Sequence, residues 1–152
     1  MRFEKSCGVI IYRCDKKRIL YLIVRYGAYS RYWGLVKGHV ESEETELQTA
    51  RREVYEEVGF QNIQIATGFR ETISYSPYPD CLKDVVFFLG TTSEDKVRFI
   101  SKEHDKSLWI PKEEAFAHLK HGNDRFVLYR AELFIQNNFL DGGLHGYEKQ
   151  YL

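Results

Sequence analysis

The stretch GHVESEETELQTARREVYEEVGF, residues 38–60, sets the tightest limits on how this chain folds. Leu47, Ala50, Val54 and Val58 follow the i, i+3, i+7, i+11 spacing of one buried helical face. Gly59 stands where a left-handed residue closes a helix, and Ser42 or Thr45 supplies the cap at its start. At roughly 100° per residue, Glu53, Glu56 and Glu57 fall within one arc of about 100° that adjoins the apolar stripe. Like charges so spaced cost an isolated helix roughly 0.2–0.5 kcal/mol per pair, so stability alone does not choose them. A divalent cation reverses that sign, because clustered carboxylate oxygens suit Mg2+, which keeps several waters and bridges carboxylate to phosphate. On periodicity alone, the same stretch reads equally as a solvated acidic face.

Strands are expected on both sides of this helix. Segments 5–13 and 18–25 alternate as strands and are joined by Asp15, Lys16 and Lys17, a connection of hairpin length. A turn-rich segment, 26–32, leads to a short extended piece at 33–36. Further strands are predicted at 63–69, 72–75, 84–91 and 107–110, with a Pro-containing loop at 76–80. Helices are predicted at 111–119 and 125–137, linked through His121, Gly122, Asn123 and Asp124. Strands and helices mix without βαβ regularity, which gives an α+β domain. The 152 residues fit one domain over 1–140, followed by a loose Gly-rich C-terminal tail over 141–152.

Lys plus Arg and Asp plus Glu both number 22, so no global field recruits long nucleic acid or an anionic membrane, and any phosphate site must be built locally. The apolar runs are strand-length, and the N-terminus has neither a cationic start followed by an apolar region nor a cleavage site. The three cysteines Cys7, Cys14 and Cys81 are odd in number and lack C-x-x-C spacing. They read as reduced thiols in a cytoplasmic protein.

Gly38, Glu44, Arg52, Glu53, Val54, Glu56, Glu57, Gly59 and Phe60 fill every fixed position of the pattern G-x5-E-x7-R-E-U-x-E-E-x-G-U. The chain therefore resembles the Nudix hydrolases, whose signature this is. The resemblance implies a Nudix-type α/β/α sandwich around a mixed β-sheet, and Mg2+ as cofactor with Mn2+ as a substitute. It also implies a substrate made of a nucleoside diphosphate linked to another group. It makes Glu53, Glu56 and Glu57 metal ligands, one of them also the base that deprotonates water. The Gly38 carbonyl joins the ligands, Arg52 orients the carboxylates, and Glu44 supports them.

Around this box, Trp33, Lys37, Gly38, His39 and Glu41 match W-x-x-P-K-G-H-x-E, with Val36 in place of the proline. Ser101, Glu103 and His104, followed by Trp109, resemble an S-x-E-H segment and its downstream Trp, and Lys83 stands at a strand entry. These features are similar to the diadenosine tetraphosphate hydrolase branch, which implies asymmetric cleavage of that nucleotide to ATP and AMP. Cleansing of oxidised nucleoside triphosphates, removal of pyrophosphate from RNA 5′ ends, and nucleotide sensing without turnover are the alternatives. Lys37 and Lys83 are candidate point charges for the phosphates, and His39 is a candidate phosphate contact. Glu103 is a candidate base or additional metal ligand. Tyr75 is the leading candidate for stacking on adenine and Phe126 the second. The number of subunits is not legible in the sequence.

Overall fold

A computed structural model of the chain describes residues 1–27 and 32–138. In chain order its elements are β1 (Arg2–Asp15), β2 (Arg18–Tyr26), β3 (Tyr32–Gly34), β4 (Val36–His39), α1 (Glu46–Val58) and β5 (Gln64–Ile65). They continue with β6 (Glu71–Tyr75), β7 (Cys81–Thr91), β8 (His104–Ile110), α2 (Lys112–His118) and α3 (Gly122–Asn138). β1 and β7 run parallel along their length, from Arg2↔Cys81 to Tyr12↔Thr91, while the other pairings are antiparallel. The sheet is therefore mixed.

Period-two alternation builds two cores, one on each face of the sheet. Cys7, Val9 and Ile11 of β1, Leu22 and Val24 of β2, and Val86 of β7 pack with Ala50, Val54 and Val58 of α1. The intervening Ile10, Tyr12, Tyr21, Ile23, Val85, Phe87 and Leu89 pack with Ala115 and Leu119 near α2 and with Val127, Leu128, Ala131 and Ile135 of α3. The expected α/β/α sandwich is present, with α1 on one face and α2 and α3 on the other.

The sheet forks on either side of its central pair. On one side of β1, Ser6 to Val9 pair with β4, whereas Tyr12 to Asp15 pair with β2. On the far side of β7, Lys83 to Phe87 pair with β6, whereas Gly90 and Thr91 pair with β5.

Local signals account for most of the boundaries. Lys16 and Lys17 hold φ of 49° and 68°, the two left-handed residues of a tight hairpin turn between Asp15 and Arg18. Thr45 caps α1 by accepting from the Gln48 backbone N–H at 3.1 Å, while the Gln48 side chain accepts from the Thr45 N–H at 2.8 Å. Gly59 closes the helix at φ 80°.

Three expectations are corrected. Leu47 is 36% exposed, and Thr49 takes its place on the buried face, where its hydroxyl is satisfied by donating to Glu44 at 2.8 Å. The strand expected over 63–69 pairs only at Gln64 and Ile65, because the chain turns at 67–68. The last helix begins at Gly122 rather than Arg125, so residues read as a linker form its first turn. The proposed tail over 141–152 lies outside the described residues.

Thr45→Ala is expected to destabilise the domain by about 1 kcal/mol, because it leaves a helix N–H without its side-chain acceptor. Thr45→Ser should restore most of that. Equilibrium urea unfolding measures both.

Candidate active site

A cleft of about 360 Å³ opens where β4 meets α1, and Gly38, Glu53, Glu56, Glu57, Lys37, His39, Lys83, Arg52 and Glu103 all line it. The sequence-predicted residues are thus brought together, apart from Tyr75 and Phe126. Each arrives for a local reason. β4 carries Lys37, Gly38 and His39 alongside β1, with Gly38 opposite Cys7. A Cβ on Gly38 would collide with the Glu53 carboxylate, so a bare Cα is what lets that carboxylate lie against the strand. The loop holding Glu103 is tied to the end of α1 by the Ser101 N–H donating to the Glu56 carbonyl at 2.7 Å.

Arg52 organises the acidic residues. Its Nε and one terminal nitrogen donate to the two oxygens of Glu44 at 2.7 and 3.0 Å, a paired contact. The other terminal nitrogen donates to Glu53 at 3.0 Å and to Glu56 at 3.1 Å. A further hydrogen bond of 2.9 Å reaches the His39 carbonyl and fastens the helix to β4. Held by Arg52, and by the Glu41 N–H and Thr49 hydroxyl as well, the Glu44 carboxyl drops to about 2.

Glu57 has no such support. It is 2% exposed, and burial pushes its carboxyl up to about 8. Burial, with Glu57 beside it, raises Glu53 to about 7. His104 Nε2 stands 3.0 Å from a Glu57 oxygen, but both Glu57 oxygens and both His104 ring nitrogens lack a hydrogen-bond partner. Burial lowers His104 below its ordinary value, so the imidazole beside Glu57 favours its neutral form.

Orphaned buried carboxylate oxygens beside a second carboxylate are the chemical complement of a hard cation. No group of three acidic, cysteine or histidine side chains is gathered as a closed metal cage among the described residues. Mg2+ does not require one, since it binds through one or two carboxylates, waters and substrate phosphates. The donor set fits.

The cationic wall faces these carboxylates. Lys83 is 8% exposed, and burial, then Lys37, lower its pKa; its ammonium lies 3.5 Å from His39 Nε2. His39 also stands 3.7 Å from Glu4.

A second cleft, of about 340 Å³, adjoins the first and is mainly apolar. Tyr75 lines it together with Tyr32, Ile73, His121 and Asp124, and Lys37 lines both clefts. Tyr32 is stacked on Tyr26 at 4.7 Å and meets His121 edge-on at 5.7 Å. Phe126 is not in either lining and is 51% exposed. The phase of α3 explains this correction: Asp124, Val127, Leu128 and Ala131 form the buried face, and Phe126 falls off it. Tyr32, His121 and Asp124 were missed by sequence reasoning, and only an earlier placement of that helix start would have found the last of them.

Comparison with known proteins agrees with this geometry. The NUDIX domain profile matches residues 2–131. A Sus scrofa protein named bis(5′-nucleosyl)-tetraphosphatase [asymmetrical] is 30% identical over 140 residues, covering 86% of this chain and 95% of its own. The Mus musculus protein of the same name is 32% identical over 120 residues, covering 73% and 81%. A crystal structure of a C. elegans Ap4A hydrolase binary complex superposes with a TM-score of 0.81 at 27% identity, covering 88% of this chain and 98% of that one. An E. coli dihydroneopterin triphosphate pyrophosphohydrolase, at 23% identity and a TM-score of 0.69, shares the fold. With its signature helix lining a cleft and a domain match over most of its length, the chain belongs to the Nudix family and is a hydrolase of that family.

Proposed function

We propose that this hydrolase cleaves diadenosine tetraphosphate asymmetrically, giving ATP and AMP. The observation that carries the reading is the adjacency of two unlike clefts with Lys37 as their common wall. An aromatic, apolar space suits a nucleobase, and a space bounded by lysines and carboxylates suits a polyphosphate with its cation. The names carried by the Sus scrofa and Mus musculus relatives support the same substrate.

In this reading Tyr75 stacks on adenine. Lys37, Lys83 and His39 hold the phosphate chain. Glu53, Glu56, Glu57, Glu103 and the Gly38 carbonyl hold Mg2+, with Mn2+ able to replace it, and Arg52 keeps Glu53 and Glu56 aligned for that task. When bound, the cation neutralises phosphate charge and lowers the pKa of a coordinated water. One carboxylate of the cluster accepts the proton of the attacking water. The water oxygen bonds to phosphorus as the phosphoanhydride P–O bond breaks, and the leaving phosphate departs as the second nucleotide.

An odd count of three cysteines without C-x-x-C spacing favours a reducing compartment such as the cytoplasm, and no helix among the described residues is long and apolar enough to cross a membrane. Balanced charge favours a small nucleotide over long nucleic acid.

Glu57→Gln is expected to lower turnover by roughly 10²-fold or more with modest loss of nucleotide binding, and chelation of divalent ions should abolish turnover of the unaltered protein. Product analysis in labelled water checks the substrate: diadenosine tetraphosphate left intact while another nucleotide is consumed would refute it.

Stability should also depend on pH. Folding raises Glu53 to about 7 and Glu57 to about 8 from an ordinary 4.5, so between those values the folded chain binds more protons than the unfolded one. Metal-free protein accordingly loses this contribution as pH climbs from about 4.5 to about 8. Glu57→Gln removes one of the two titrations and should gain on the unaltered protein across that window. Urea unfolding at several pH values measures the difference, and a pH-independent gap would contradict the assignment.

A further inference from the structure

Asp124 has no part in the chemistry described so far. It sits in the first turn of α3, 7% exposed, and is one of the residues that line the apolar cleft. Among the described residues it forms no side-chain hydrogen bond or ion pair; only its backbone N–H is engaged, donating to the His121 carbonyl at 3.1 Å. Burial raises its pKa, while Lys37 and His121 draw it down. A buried carboxyl without a partner is unfavourable in either protonation state, and the helix N-terminus offsets that only in part.

The space in front of it has the character of a base site. Tyr32 and Tyr75 bring aromatic surface, and Ile73 brings an apolar floor. The volume of about 340 Å³ lies at the small end of ligand pockets. In such a site an inward-facing carboxyl is the polar group that fixes orientation. Whether ionised or neutral it retains an oxygen able to accept an N–H, and when neutral it can also donate to a ring nitrogen.

We propose that Asp124 is a specificity-determining residue that accepts a hydrogen bond from the exocyclic amino group of adenine in the apolar cleft. The inference deepens the function proposed above and rests on it in taking this cleft as the base site. Stacking on tyrosine tolerates any base, because every base has a π-face, whereas a hydrogen bond to the base edge discriminates. Leaving the Asp124 carboxyl unpaired penalises a purine that lacks the amino group.

Equilibrium binding of adenosine monophosphate and of purine riboside monophosphate, which differs by loss of the 6-amino group, tests this directly. The unaltered protein should prefer the amino-bearing nucleotide by about tenfold or more. Asp124→Ala should bring the ratio to about one, and Asp124→Asn, whose carbonyl still accepts, should keep most of the preference. A ratio near one in the unaltered protein would overturn the proposal, and this arm needs no variant to fold. A preference retained by Asp124→Ala would overturn it equally. Binding is read without turnover, so the two proposals fail separately. Amino preference in a protein that does not cleave diadenosine tetraphosphate removes the catalytic reading alone, and cleavage without amino preference removes the role of Asp124 alone.

Discussion

Carboxylates crowded along one helix edge repel one another, and packing that edge against a strand removes the water that would screen them. Arg52 makes the arrangement tenable. It contacts Glu44, Glu53, Glu56 and the His39 carbonyl at once, joining the helix to the loop before it and to β4. The rest of the site follows from that fastening. β4 is held close enough for Gly38 to meet Glu53, and Lys37 is thereby placed between the two clefts. Glu57 lies beyond the reach of this guanidinium, and it is the carboxyl most strongly displaced from its ordinary acidity.

Two kinds of electrostatic environment therefore coexist around one guanidinium and its neighbours. Glu44 is kept ionised by direct donors, while Glu57 is pushed toward its protonated form by burial and Glu53 by burial together with Glu57. A fully satisfied cluster would be a rigid structural element with nothing left to offer a ligand. The division leaves oxygens free where the cleft opens and none free where the loop must be braced.

What could be read from sequence follows the range of the interactions involved. The box was legible because carboxylates at fixed separations on a regular helix have only one relative placement, and Thr45 and Gly59 mark its limits in composition alone. The hairpin at Lys16 and Lys17 was equally local. Leu47 misled because apolar spacing says which residues share a face but not how far along the helix that face is covered. Phe126 misled because it lies off the buried face formed by Val127, Leu128, Ala131 and Ile135, and an aromatic ring does not itself say which side of its helix meets a cleft. The approach of His104 to Glu57, and of Asp124 to Tyr75, joins residues far apart in the chain. No periodicity encodes such meetings; they follow from which strands become neighbours.

The parallel union of β1 with β7 has a bearing on how the protein is made. β1 finds β2 and β4 early in synthesis, yet the opposite edge of Arg2 to Tyr12 waits for residues 81–91 to appear. Until then that edge presents unpaired backbone groups, a template for association with other nascent chains. The hairpin and the signature helix can assemble in the meantime, so the acidic cluster precedes the lysine of β7 that faces it. The nucleotide-sized hollow is completed last, once the start of α3 has been synthesised.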